Sequence, residues 1–460
     1  MVGNNFSDRG VKFSVDWKLV IVYLALVIIG WINIYASIHS EGPSSIFDFS
    51  FRCGKQFVWI LTAIGLAAII LFVLNPRVWE SSAVPLYIVV LFLLVAVIFL
   101  GIEVKGSRSW FEFGPVRFQP AEISKISTSL LLSALMSKTG YNIQKLKWLS
   151  LTALVIVLPM LIILAESETG SALVYVGFIF VMYREGFSGW WIFCIIVAII
   201  LFILTLVFSP TVSLLTLLGL VAIGCIANGK RLDKWLPINA GAILVLCLLP
   251  WGLKLASLKW PFLAGVNPFY VIIGICVAAA PYFIYRGFKQ RNKYLMLSAV
   301  GVIAGIAMIL STDFIFNNVL QDHQRKRIEV LLGIKEDLAG VGYNVHQSMI
   351  AIGSGGLTGK GFLGGTQTTF GFVPEQSTDF IFCTVGEEWG FLGCALVIFL
   401  YVFLIWRMIS DAEKSREAFT RIYGYCVASC IFMHLFINIG MTIGIMPVIG
   451  IPLPLLSYGG

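Results

Sequence analysis

The chain is a succession of long apolar runs, and that pattern decides most of what it can become. A bilayer core of about 30 Å takes ~20 apolar residues of helix. Runs suited to that task lie near residues 17–38, 56–74, 83–101, 123–137, 149–165, 170–183, 189–208, 211–227, 236–257, 268–285, 294–316, 379–406 and 420–445. A fourteenth begins near Pro447 and is cut off at Gly460. The runs near 123–137 and 170–183 are the shortest, and polar residues flank them closely. Hydrophobic residues make up 58% of the sequence and charged residues 12%. A soluble chain carries roughly 25% charged residues, so this one could not cover two or three soluble cores. A cytosolic enzyme, a nucleic-acid-binding domain and a disordered chain are therefore excluded. The expected fold class is all-α: a polytopic transmembrane helical bundle with one large loop.

Basic residues orient the bundle. With the N-terminus in the cytoplasm and the chain alternating sides, 19 of the 32 Lys and Arg fall inside, although the outside loops are longer. The positive-inside rule therefore predicts a cytoplasmic N-terminus. No cleavable signal peptide is read before the first apolar run. The nine cysteines form no CxxC pair and lie mostly in apolar runs, where they read as small packing residues.

The outside exceptions are concentrated. Lys105, Arg108, Arg117 and Lys125 lie in one loop, and Arg325, Lys326, Arg327, Lys335 and Lys360 in another, residues 312–378. Arg suits phosphate because its planar fork binds two oxygens at once. The alternative is pairing with Glu103, Glu112, Glu122, Glu329 and Glu336. Nine basic residues in two loops put bound anion slightly ahead.

The long loop holds a helix-like basic stretch from Asp322, then Asp337 before Gly340-Val-Gly342-Tyr343, then a glycine-rich run from Gly353. Such glycine density lets backbone approach a ligand closely or lets a loop re-enter the membrane. It is not a nucleotide P-loop, because Gly361 follows Lys360 where Ser or Thr is required. Asp337 could take a proton from an incoming hydroxyl, but on spacing alone a turn cap is the better account. Pro120-Ala-Glu122-Ile-Ser-Lys125 reads as a helix start with Glu122 and Lys125 in reach of each other. Asp379, Glu387 and Glu388 lie at and inside the start of one long span, where acids are either functional or paired.

These segments resemble the SEDS family (shape, elongation, division and sporulation proteins). The matching stretches are Gly106-Ser-Arg-Ser-Trp110 through Lys125, Gly342 through Gly361, Gly364-Gly-Thr-Gln, Pro374 through Phe382, Gly386-Glu-Glu-Trp-Gly390, and Asn438 through Gly460. They cover roughly the first 185 and last 165 residues, in the family's order, and look like its elongation branch. The resemblance implies a peptidoglycan glycosyltransferase. Such an enzyme polymerises lipid II on the outer face of the bacterial cytoplasmic membrane, beside a class B penicillin-binding transpeptidase, during elongation and rod-shape maintenance.

The resemblance also assigns roles. The family's essential aspartate falls on Asp337, and its Glu-x-x-Lys pair on Glu122 and Lys125. Gln367, Glu375 and Asp379, from the matched stretches, join Arg108, Glu122, Lys125 and Lys360 as candidate substrate-binding residues. Arg108, Lys125, Lys360 or a divalent cation would hold the diphosphate. No cofactor is otherwise called for. Two motifs depart from the family pattern. Leu338 stands where a proline is usual after the aspartate, and Ser167-Glu168 stands for Pro-Asp. The family has ten helices, so the expected organisation is a core in residues 1–188 and 291–460 with about four helices inserted at 189–290. The rival reading is a transporter that flips the lipid-linked precursor.

Overall fold

The computed structural model describes residues 15–459 except 40, 41, 44, 75, 105, 115, 233–235, 261–264, 290, 292, 321, 333 and 335–341. The chain forms two compact units, Met1–Phe187 with Leu338–Gly460, and Ser188–Asp337. Among the described residues, nine helices are long and apolar enough to cross a membrane.

The first unit opens with α1 (Trp17–Ser37), α2 (Arg52–Phe72) and α3 (Pro76–Leu100). A small antiparallel sheet follows, β1 (Ile102–Val104), β2 (Ser107–Phe113) and β3 (Val116–Phe118). Its register sets Glu103 opposite Arg108 and Glu112 opposite Arg117, and opposite charges on facing residues support the pairing. Then come α4 (Pro120–Met136), α5 (Leu146–Ala165), α6 (Thr169–Val174) and α7 (Phe178–Arg184).

Helix α4 is short of apolar residues yet lies at the centre, packed on α3 and α5. Ser124, Ser127, Ser129 and Ser133 are buried there, and each hydroxyl donates to a carbonyl three or four residues earlier. A polar helix can sit inside a bundle when its own turns satisfy its hydroxyls.

The second unit contains α8 (Gly189–Val207), α9 (Pro210–Leu232), α10 (Leu236–Ser257), α11 (Pro268–Lys289), α12 (Lys293–Phe314) and α13 (Asp322–Leu331). Leu201, Leu214, Leu218, Ile272, Ile306 and Ile309 form its core.

The chain returns to the first unit with α14 (Tyr343–Ser354), the single turn α15 (Thr366–Thr369), α16 (Ile381–Lys414) and α17 (Ala418–Thr442). Helix α16 packs on α1 and α14, and α17 lies between α16 and α4. One core joins Leu132, Tyr175, Phe178 and Ile422, and another joins Leu26, Ile34, Ile381, Tyr401 and Leu453.

Residues 447–459, read from sequence as the start of a further helix, form extended chain and turns instead. Gly450 and Leu455 have φ of 75° and 72°, and the prolines at 447, 452 and 454 supply no amide hydrogen for a helix. The segment is tied down by other elements. Asn438 Nδ2 donates to Ile451 O at 2.7 Å, Tyr458 N to Ser377 O at 2.9 Å, and Tyr401 to Pro454 O.

The glycine-rich run explains a break in α16. Gly390 has φ 65° and ψ −162°, so the helix is interrupted there. In a continuous helix the amides of Phe391 and Leu392 would reach the carbonyls of Glu387 and Glu388. The loop satisfies all four groups instead. Phe391 N donates to Gly356 O at 2.9 Å and Leu392 N to Leu357 O at 3.1 Å. Lys360 N donates to Glu387 O and Gly361 N to Glu388 O, both at 3.0 Å. Non-helical backbone at membrane depth requires such complete internal pairing.

Candidate active site

The site is built where the start of α4 meets α17. Pro120 fixes the first turn of α4, which places Glu122 and Lys125 one turn apart on the same face. Lys125 Nζ lies 2.7 Å from the Glu122 carboxylate and 2.8 Å from His434 Nε2. The Lys125 side chain is 7% exposed and that of Glu122 46% exposed. His434, on α17, is also buried, and its Nδ1 lies 3.2 Å from Pro452 O. One turn further along α17, Asn438 Nδ2 donates to Asp379 O at 2.8 Å as well as to Ile451 O. Asp379 Oδ2 stands close against Gly450.

A second polar group lies before α6. Glu168 Oε1 accepts from Gln119 Nε2 at 2.5 Å and from Ser171 Oγ at 2.6 Å, which ties the start of α4 to α6. Ser124 Oγ, on α4, lies 2.6 Å from the Tyr175 hydroxyl. Glu166 is 2% exposed, and among the described residues neither of its carboxylate oxygens has a hydrogen-bond partner. Burial, reinforced by the neighbouring Glu168, pushes its carboxyl up to about 8.

The other candidate residues among those described have partners of their own. Arg108 sits on the hairpin 3.6 Å from Glu103, with both side chains more than half exposed. Arg117 pairs with Glu112 at 3.4 Å, and Arg325, in the second unit, with Glu329 at 3.1 Å. The carboxylates weighed against a bound anion are thus in place beside these basic residues.

Lys360 Nζ lies 2.7 Å from Glu387 Oε1 and 2.9 Å from Thr366 Oγ1. Glu387 is fully buried and also accepts from the amides of Thr366, Gln367 and Thr368 at 2.8–2.9 Å. Gln367 is therefore held through its backbone. Glu387 is the paired kind of intramembrane acid, locking the loop to the break in α16. Glu375, at φ 54°, makes a turn in which its carbonyl accepts from the amides of Thr378, Asp379 and Phe380. Its carboxylate accepts from Thr378 Oγ1 at 3.1 Å. Asp337, with Lys335 and Glu336, lies outside the described residues.

The profile of the FtsW/RodA/SpoVE cell cycle proteins matches residues 16–222 and 282–460. The chain belongs to this family. It is 30% identical to the peptidoglycan glycosyltransferase MrdB of Escherichia coli K12, over 98% of this chain and 90% of that protein. It is 29% identical to the peptidoglycan glycosyltransferase RodA of Treponema pallidum, over 98% of this chain and 94% of that protein. Its fold matches a chain from a solved peptidoglycan synthase complex with a TM-score of 0.60. That match has 24% identity and covers 97% of this chain and 93% of the other.

Within this FtsW/RodA/SpoVE member, sequence reasoning singled out Glu122 and Lys125 but missed His434. One signal was present. A lone histidine in an apolar run is costly unless partnered, and it lies one turn before Asn438 on the same helix face. Among the described residues, no three His, Cys, Asp or Glu side chains converge as a metal site.

Proposed function

We propose that this chain is a peptidoglycan glycosyltransferase. It polymerises lipid II, the undecaprenyl-diphosphate-linked disaccharide peptide, into glycan strands on the outer face of the bacterial cytoplasmic membrane during elongation. The observation that carries this reading is the Glu122–Lys125 pair, an ammonium buried within a helical bundle whose relatives at 29–30% identity bear that name.

The chemistry asks little of an acid catalyst. Lipid II already carries a diphosphate leaving group, which departs if a cation stabilises the charge that develops on it. Lys125 suits that task best of the basic candidates. Arg108 is exposed and screened by solvent, whereas Lys360 is committed to Glu387. Asp337 acts as the base that takes the proton from the acceptor's sugar hydroxyl. A single in-line attack on an α-linked donor gives a β link by inversion. One carboxylate suffices, unlike the acid-and-base pair of glycosidases.

Ion pairs join segments assigned to the inner side, in keeping with their lying on one face, and the positive-inside rule makes that face cytoplasmic. Arg407 pairs with Asp16, Arg184 with Glu413 at 2.7 Å, and Arg421 with Glu185 at 3.3 Å. A class B penicillin-binding transpeptidase is the proposed partner, in keeping with the synthase complex whose chain shares this fold.

The test is polymer formation from purified lipid II by the reconstituted protein, with and without that partner. Asp337→Asn should abolish polymerisation while the protein stays folded and inserted. Unchanged activity would end the assignment of Asp337, and lipid II flipping without polymer would make the chain a transporter.

A further inference from the structure

His434 has its protonation decided by its two neighbours. A lysine ammonium only donates, so Nε2, 2.8 Å from Lys125 Nζ, must be the bare acceptor nitrogen. A carbonyl only accepts, so Nδ1, 3.2 Å from Pro452 O, must carry the hydrogen. The ring is therefore neutral and in one tautomer. It bridges the ammonium on α4 to the non-helical segment after α17.

We propose that His434 is a positioning residue for Lys125. Among the described residues, two groups flank the ammonium, Glu122 and His434, and only Glu122 is substantially exposed. The imidazole braces the buried side, so the ammonium stays directed toward the open side where a diphosphate can approach. Without His434, the flexible lysine stem would turn fully onto Glu122, and the pair would neutralise itself. The terminal segment is part of the device, because Pro452 O fixes the ring and Asn438 fixes Ile451 beside it. A partner that locks a ring through its second nitrogen is a general way to orient the group on the first.

This inference rests on the glycosyltransferase reading, with Lys125 facing the leaving diphosphate. The alternative is a buried histidine that merely fills space. Leucine keeps much of the volume and offers no polar atom, whereas glutamine offers an adjacent acceptor and donor. In the reconstituted full-length protein with lipid II, His434→Leu should lower kcat/KM by about 10- to 100-fold, the range of a hydrogen bond to a charged group. His434→Gln should recover to within about threefold of wild type, and both should melt close to wild type. With Lys125 already changed to Met, adding His434→Leu should cost nothing more.

Wild-type kinetics in His434→Leu, an additive double variant, or loss in both single variants that tracks their melting would each overturn the positioning role. Those results leave the reaction assignment intact, whereas a wild-type protein that makes no polymer overturns both. A measurement on the unaltered chain needs no folded variant. Nitrogen-15 shifts of the four histidines should show one neutral ring protonated on Nδ1, absent from His434→Gln. A ring protonated on Nε2, or an imidazolium at neutral pH, refutes the proposal.

Discussion

Two glycines in the same loop make a controlled experiment. Gly359 and Gly361 have φ of 80° and 91°, so alanine at either is strained by the left-handed backbone, at about 1–2 kcal/mol. Their surroundings differ. A Cβ at Gly361 meets nothing within 4 Å, whereas one at Gly359 falls 2.0 Å from Glu388 O and 2.6 Å from Trp389 N. These are backbone atoms at the break in α16 and cannot swing aside. Gly359→Ala must open the seam by more than an ångström, which adds about 1–3 kcal/mol of overpacking. It also loosens the bonds from Lys360 N and Gly361 N to the freed helix carbonyls, at about 1 kcal/mol each. Gly361→Ala should therefore cost about 1–2 kcal/mol and Gly359→Ala about 4 kcal/mol or more. Denaturant titration of the two variants in the same detergent reads the difference. Equal destabilisation would refute the claim that close approach, and not φ alone, requires glycine at 359.

Two pH predictions have opposite signs. The Glu166 carboxyl holds its proton more tightly in the fold, at about 8, than at its ordinary value of 4.5, so stability should fall as pH rises through that interval. Glu166→Gln should flatten the melting profile between about pH 5 and 8, and a wild-type profile already flat there would refute the burial argument. Asp16 caps α1 and pairs with Arg407, and that hydrogen bond, first among the causes, lowers its carboxyl from 3.8 to about 2. Its contribution is present above the ordinary value and lost as pH falls from 3.8 toward 2. Asp16→Asn should therefore lower the melting temperature at neutral pH but not at about pH 2, and an equal loss at both would refute the pairing.

Most of the helices were legible in the residues. Apolar length is a local property, and the bilayer demands it of a span, so nine of the thirteen runs are, among the described residues, helices long and apolar enough to cross a membrane. Those at 123–137, 211–227 and 236–257 fall short of that, and the run at 170–183 is broken into α6 and α7. Even α4, the most polar of them, announced its start through Pro120 and Glu122. The misreading at 447–459 came from weighting apolar content over three prolines, although Gly450 and Leu455 turn the chain there. The small sheet at 102–118 reads as plain loop in sequence, because its strands are short and two of its six residue pairs are between charges.

The site divides in the same way. By itself the sequence determined that a membrane bundle carries basic and acidic residues in two loops, with Glu122 and Lys125 one turn apart. That spacing is fixed by helix geometry alone. Only the tertiary structure decided which charges are spoken for. Glu387 is consumed by Lys360 and three amides, Arg108 sits out on a hairpin, and Lys125 stays buried between Glu122 and a histidine 309 residues away. The energy of a charge depends on what surrounds it, and those neighbours come from helices distant in the chain. No local pattern could say which positive residue keeps its force for a ligand.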